Sequence, residues 1–282
     1  MNSCILSIDA GGTFFKYAVL GVEKKDVFEI DSIAVDSNGN TEHILGCYKN
    51  IISTVSKKYH ISGIGVSTPG PFDYKNGISM MQHKVSAIKG IVLKDYLQAF
   101  LPNKRPIWFC SDSNAFLIGE VNEERYKEKN IFGITVGTGL GFSIIYEGKL
   151  QTKESGAPKE VIYNLPCMNG ILEDYVSGRG VSRLYQEFGG NDCFTAKQVA
   201  LRAHTDMAAK RAFEKAGELL SQALLPYLKK YKAERIILGG QVAKSFPLME
   251  KSLYENLGQY SKICQSKNID TATLKGVAHF MH

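Results

Sequence analysis

Four short stretches of the 282-residue sequence carry side chains suited to phosphate and metal chemistry. The first is Asp9-Ala10-Gly11-Gly12-Thr13, set between two apolar, β-prone runs with Lys16 just beyond. Glycines at a hairpin tip let backbone N–H groups approach a ligand where a Cβ would clash. Asp9 can hold a hydrated magnesium ion, and Thr13 can hydrogen-bond a phosphate oxygen. The second stretch, Ser67-Thr68-Pro69-Gly70-Pro71, closes the apolar run Ile61 to Val66. Ligands usually sit at such carboxyl ends of strands in open α/β sheets. The third, Ser111-Asp112-Ser113-Asn114, places a carboxylate at a strand-to-helix junction, and the fourth, Gly137-Thr138-Gly139-Leu140-Gly141, repeats the design of the first. Each also has a plain structural reading. Glycine-rich turns are common punctuation, and Asp112 or Ser113 can simply cap the helix that follows.

The elements that must position these residues follow from periodicity and turn signals. Strands are expected at Val27 to Val35, Ile61 to Val66, Pro106 to Cys110, Asn130 to Val136, Phe142 to Tyr146 and Arg235 to Leu238. Helices are expected from a Thr41 cap to Tyr59, then over Leu93–Phe100, Phe116–Tyr126 and Ser177–Phe188. Three more follow, from a Thr195 cap to Arg202, over Met207–Tyr231, and over Thr273–Phe280. Residues 75 to 92, with His83-Lys84, and residues 147 to 176 read as irregular. No helix follows Gly141, so the dinucleotide-binding fingerprint does not apply. Gly239-Gly240, between a strand and a helix, can lie flat against a nucleotide or serve as a packing turn. Two similar hairpins, each opening a half, predict two α/β domains facing each other across a cleft. The division is expected at residues 1–112 plus 272–282 against 113–271.

Composition narrows the classes. The hydrophobic fraction of 44% is that of a globular chain with a sizeable core. The net charge of +6 is spread thinly, with no basic block that would point to nucleic acid. No apolar run approaches the roughly 20 residues of a membrane span, and no signal-like segment opens the chain, so the expected location is cytoplasmic. Cys4, Cys47, Cys110, Cys167, Cys193 and Cys264 are scattered without a C-x-x-C, which favours reduced core residues over a disulfide framework or a zinc site.

Taken in order, the Asp9–Thr13 hairpin with Lys16, the Gly65–Pro71 loop, Ser111–Ala115, Gly137–Gly141 and Ile236–Gly240 resemble the ROK family of bacterial sugar kinases and related repressors. That family belongs to the actin, hexokinase and Hsp70 ATPase superfamily, so the resemblance implies two ribonuclease-H-like α/β domains flanking a cleft. It implies that Gly11, Gly12, Thr13, Lys16, Gly137, Thr138 and Gly139 bind ATP phosphates and that Gly239 and Gly240 border the adenosine. Asp9 would hold magnesium through ATP, and Asp112 would be the catalytic base. Ser67, Thr68, Pro69, Gly70, Ser111, Asn114 and Glu173 would bind the sugar.

The sequence departs from the family in three places: the active-site Asn-Asp pair is Ser111-Asp112 here, the sugar-binding Asn-Leu pair is not evident after Gly90, and the largest departure lies between Glu154 and Glu173. Family kinases carry a G-E-x-G-H segment and then C-x-C-G-x-x-G-C-x-E, which binds structural zinc. Here the stretch is Glu154–Glu160 followed by Asn164–Glu173, where Cys167 stands at a glycine position and Glu173 matches the final glutamate. Zinc is therefore not expected, and Glu154 and Glu160 both stand as candidates for the first glutamate. The resemblance implies an ATP-dependent hexose kinase using Mg2+, with glucose or an N-acetyl or amino hexose as acceptor at O6, and a homodimer. The alternatives are a sugar-responsive repressor, for which no helix-turn-helix precedes Asp9, a catalytically silent sugar-binding protein of this family, and a kinase for a non-hexose small molecule.

Overall fold

The computed structural model describes residues 2–23, 26–82, 85–190 and 194–280; His83-Lys84 and Cys193, singled out above, lie outside the described residues. The chain begins with Ser3–Ala10 (β1) and Phe14–Gly21 (β2), two runs of alternating and buried apolar residues joined by the Gly11–Thr13 tip. Val27–Ala34 (β3) follows, then helix Thr41–Ser56 (α1) and strand His60–Thr68 (β4). Two short strands pair, Phe72–Asp73 (β5) and Ile78–Ser79 (β6), the second of them inside the segment that reads as irregular in the sequence. Leu93–Gln98 (α2), Ile107–Ser111 (β7) and Asp112–Glu124 (α3) complete the run.

The next stretch holds Ile131–Val136 (β8), Leu140–Tyr146 (β9) and Lys149–Leu150 (β10), then the small hairpin Pro166–Cys167 (β11) with Gly170–Ile171 (β12). Helices Gly178–Glu187 (α4), Ala196–Arg202 (α5) and Met207–Tyr231 (α6) lead to Arg235–Gly239 (β13). Pro247–Leu257 (α7), Lys262–Gln265 (β14) and Ala272–Ala278 (α8) end the order.

The chain folds into two units. The first comprises Met1–Glu124, Thr152–Pro158 and Thr271–His282; the second comprises Arg125–Gln151 and Lys159–Asp270. The boundary expected at residue 112 falls at the β7–α3 junction, but α3 packs on α8, so the first unit runs on through α3. The sheet of the first unit has the order β3-β2-β1-β4-β7, and that of the second β10-β9-β8-β13-β14. In both, an antiparallel hairpin comes first and two parallel strands follow on its other side. This repeated order bears out the two similar α/β domains expected from the two hairpins and is the ribonuclease-H-like arrangement that the family resemblance implies.

Local chemistry explains the element ends that differ from expectation. Asn40 caps α1 by accepting the His43 N–H at 2.9 Å, and the Thr41 hydroxyl instead donates to the Ala87 carbonyl at 2.6 Å. Helix α3 starts at Asp112 and not at Phe116, because the Ser111 hydroxyl accepts the Asn114 N–H at 3.2 Å and closes the first turn there. Strand β14 lacks a sequence signal, since only four residues pair and they do so along one edge.

Helix α8 holds α3 in place. The Ser7 hydroxyl donates to the Leu274 carbonyl at 2.5 Å and the Trp108 indole N–H to the Val277 carbonyl at 2.6 Å, which fixes α8 on the sheet. A Cβ on Gly119 would run into the Ala272 backbone, and one on Gly276 into the Ala115 backbone. The two helices therefore touch backbone to backbone, with Asp112 at the amino end of α3. Among the described residues no helix is long and apolar enough to cross a membrane.

Candidate active site

In the first unit, three strands end side by side. Asp9 of β1 pairs in register with Ser67 of β4, and Thr68 of β4 pairs with Ser111 of β7. Asp112 is the next residue, at the first position of α3. The Ser67 hydroxyl donates to Asp9 Oδ1 at 2.7 Å. Asp112 Oδ1 accepts the Ser113 N–H at 2.7 Å, which orients the half-buried carboxylate in the first turn of the helix, where the backbone dipoles favour an anion. Burial pushes the Asp9 carboxyl up to about 6, opposed by the Ser67 hydrogen bond; the Asp112 charge adds to the rise and the Lys16 charge opposes it. Lys16 stands directly opposite Asp9 on β2. Thr13 lies exposed at the tip, with Gly11 and Gly12 preceding it, and the Gly11 N–H closes the turn on the Phe14 carbonyl at 3.2 Å. Asp9, Gly11, Gly12, Thr13, Lys16, Ser67, Thr68, Pro69, Gly70, Ser111, Asp112 and Asn114 thus belong to one unit. Most gather at or next to the carboxyl end of its sheet.

Asn114 is buried in the first turn of α3. Its Nδ2 donates to the Gly156 carbonyl at 3.5 Å, and its Oδ1 is buried without a hydrogen-bond partner. Tyr74 is a residue that the sequence reading passes over. Its hydroxyl donates to the Thr68 carbonyl at 3.0 Å, and burial together with the Asp112 charge holds its proton well above the usual phenol range. The aromatic residue directly after Pro69-Gly70-Pro71-Phe72-Asp73 was the signal available for it.

In the second unit, Gly137-Thr138-Gly139 forms the tip between β8 and β9, with Thr138 exposed. The Gly178 N–H, at the start of α4, donates to the Gly137 carbonyl at 2.7 Å. Gly239 pairs with Thr135, and Gly240 takes φ +85°, where a Cβ would lie 2.5 Å from the Val136 carbonyl oxygen. Gly240 therefore backs onto the strand that feeds the tip. Glu173 also reaches this tip: its Oε2 accepts the Leu140 N–H at 2.9 Å, and its Oε1 pairs with Arg179 at 2.9 Å. Glu160 is taken up elsewhere in the unit, bound by Lys230 at 2.7 Å and the Tyr231 hydroxyl at 2.6 Å. Glu154 is exposed on the first unit's Thr152–Pro158 segment. Among the described residues no group of three or more His, Cys, Asp or Glu side chains is placed to hold one metal ion.

The ROK family model matches residues 5–282. The chain belongs to the ROK family. Its similarity to an N-acetyl-D-glucosamine kinase of Photobacterium profundum is 23% identity over 298 residues, covering 96% of both proteins. The crystal structure of a ROK family glucokinase from Streptomyces griseus, in complex with glucose and AMPPNP, superposes with TM-score 0.82 at 20% identity, over 98% of each chain. A ROK family transcriptional regulator, described as a homolog of E. coli MLC protein, superposes with TM-score 0.80 at 17% identity over 99% of this chain and 77% of that one. Kinases and a regulator thus share this ROK fold, and the fold alone does not choose between catalysis and regulation.

Proposed function

We propose that this ROK protein is an ATP-dependent sugar kinase, transferring the γ-phosphate of ATP to a hexose hydroxyl, with glucose or an N-acetyl or amino hexose as acceptor at O6. The observation that carries this reading is the meeting of Asp9, Ser67, Ser111 and Asp112 at three adjacent strand ends. Phosphoryl transfer to a hydroxyl needs a group to take its proton, and Asp112 is a carboxylate held in one orientation by the Ser113 N–H.

Asp112 accepts the hydroxyl proton as that oxygen attacks the γ-phosphorus, and ADP leaves on the opposite side with the electron pair of the broken P–O bond. The Ser113 N–H keeps the carboxylate aimed. Ser67, Thr68, Pro69, Gly70, Ser111, Asn114 and Glu173 are assigned to the acceptor. The tips Gly11-Gly12-Thr13 and Gly137-Thr138-Gly139 are assigned to the phosphates with Lys16. The Gly11 and Gly137 N–H groups close the turns themselves, so the Gly12 and Gly139 N–H groups and the Thr13 and Thr138 hydroxyls are the donors offered to developing charge. Gly239 and Gly240 are assigned to the nucleoside.

A magnesium ion fits Asp9. A partly buried carboxylate raised to about 6 gains most from a hard cation, and its donor atoms are the oxygens that this ion prefers. When bound with ATP, magnesium neutralises charge on the β- and γ-phosphates. Asp9 would hold it, directly or through water, and the Ser67 hydroxyl keeps that carboxylate from rotating away.

The reading is tested by coupled ADP release from magnesium-ATP across a panel of hexoses and amino hexoses. Sugar-dependent turnover supports the kinase and names its acceptor. Nucleotide binding with no turnover for any sugar contradicts it.

A further inference from the structure

Tyr74 joins two parts of the first unit that are distant in sequence. Its hydroxyl donates to the Thr68 carbonyl at 3.0 Å, at the end of β4, next to Ser111 in register. Its backbone N–H donates to the Ser155 carbonyl at 3.0 Å, in the segment Thr152–Pro158. The following residue of that segment, Gly156, takes φ +83°, and a Cβ there would lie 3.0 Å from Tyr74 Cβ. The segment is shaped to lie on this tyrosine, and a side chain at Gly156 would lift it off.

Rings support Tyr74 from below. Phe72 lies 5.2 Å from Tyr74 and 5.2 Å from Phe109 of β7, centroid to centroid. The segment's other hold on the sheet end is weaker. Asn114 reaches Gly156 only at 3.5 Å and keeps a buried acceptor without a partner. Tyr74 is therefore the stronger of the two ties.

We infer that Tyr74 is a positioning residue of the acceptor side of this site, holding the Thr68–Gly70 loop and the Ser155-Gly156 strap in one arrangement around Asp112. The inference rests on the kinase reading above. Tyr74 takes no part in proton transfer, because its hydroxyl is already committed to Thr68. Its effect falls on the fit of the sugar; the nucleotide's phosphates are assigned to other residues.

Two variants test this through different atoms. Tyr74→Phe removes the bond to Thr68 and keeps the ring. Gly156→Ala leaves the phenol intact and displaces the strap. Steady-state kinetics are measured with the hexose that the wild type turns over best, alongside MgADP binding and thermal unfolding. Both variants are expected to raise the KM for the sugar about tenfold while the KM for magnesium-ATP and MgADP affinity stay within about twofold. Unchanged sugar KM in both variants, beside an active wild type, overturns the inference and leaves the kinase reading standing. A parallel rise in both KM values with a lowered unfolding temperature also overturns it, since that is the mark of a purely structural tyrosine. A wild type that binds MgADP and turns over no hexose brings down the kinase reading and this inference together.

Discussion

Ser67 donates its hydroxyl to the Asp9 carboxylate at 2.7 Å, although 58 residues separate them. This bond joins the ends of two parallel strands and fixes the carboxylate that lies nearest the Gly11–Thr13 tip. It also opposes the effect of burial, which pushes the Asp9 carboxyl up to about 6.

The raised Asp9 carboxyl makes the metal-free protein less stable as the pH rises. The folded carboxyl holds its proton up to about pH 6, whereas the unfolded one releases it near an ordinary value of about 4. Between those values the folded state binds more protons, so stability falls as pH increases through that window. Asp9→Asn removes the charge and retains an acceptor for Ser67. Denaturant unfolding without metal is expected to show the variant more stable by about 2 kcal/mol at pH 8, with little difference at pH 4. Equal stability of the two proteins at pH 8 would show that the buried charge costs nothing. The same variant is expected to lose most of its magnesium-dependent activity.

Ser111 closes the first turn of α3 through the Asn114 N–H. Ser111→Ala should cost about 1 kcal/mol in urea unfolding, as loss of a helix cap commonly does. An unchanged unfolding midpoint would mean that another group satisfies the Asn114 N–H.

Gly119 meets the Ala272 backbone where α3 crosses α8. Gly119→Ala forces the helices apart and should destabilise by about 3 kcal/mol, the upper range for overpacking. Because α3 carries Asp112, the variant should also lose turnover at temperatures well below its unfolding midpoint. Wild-type stability in thermal unfolding would contradict this packing.

Much of this layout was legible in the sequence. Helix α6 spans Met207–Tyr231 as its periodicity predicts, with Asp206 capping it through the Ala208 and Ala209 N–H groups. The two hairpins followed from apolar runs broken by glycine, and the strand-end position of Asp112 from the Pro106–Cys110 run giving way to Ser111-Asp112-Ser113-Asn114. Other relationships are tertiary and leave no local trace. The alignment of Asp9 with Ser67 and of Thr68 with Ser111 is set by strand register, which no single stretch records. Nor does the sequence say that Glu160 is claimed by Lys230 and Tyr231, or that Tyr74 receives the Ser155-Gly156 strap. The early start of α3 turned on one serine hydroxyl, which competes on equal terms with Asp112 and Ser113 as a cap until the backbone is seen.

ADP release by the wild type and by Asp112→Ala distinguishes a base for phosphoryl transfer to a sugar from a carboxylate with no part in the reaction. With magnesium-ATP and the best hexose of a panel, the wild type should turn over. The variant should fall by about 10²–10⁴-fold in kcat, with MgADP binding and thermal unfolding little changed. Sugar-dependent turnover that survives in Asp112→Ala at near wild-type rate would contradict the assignment of the base.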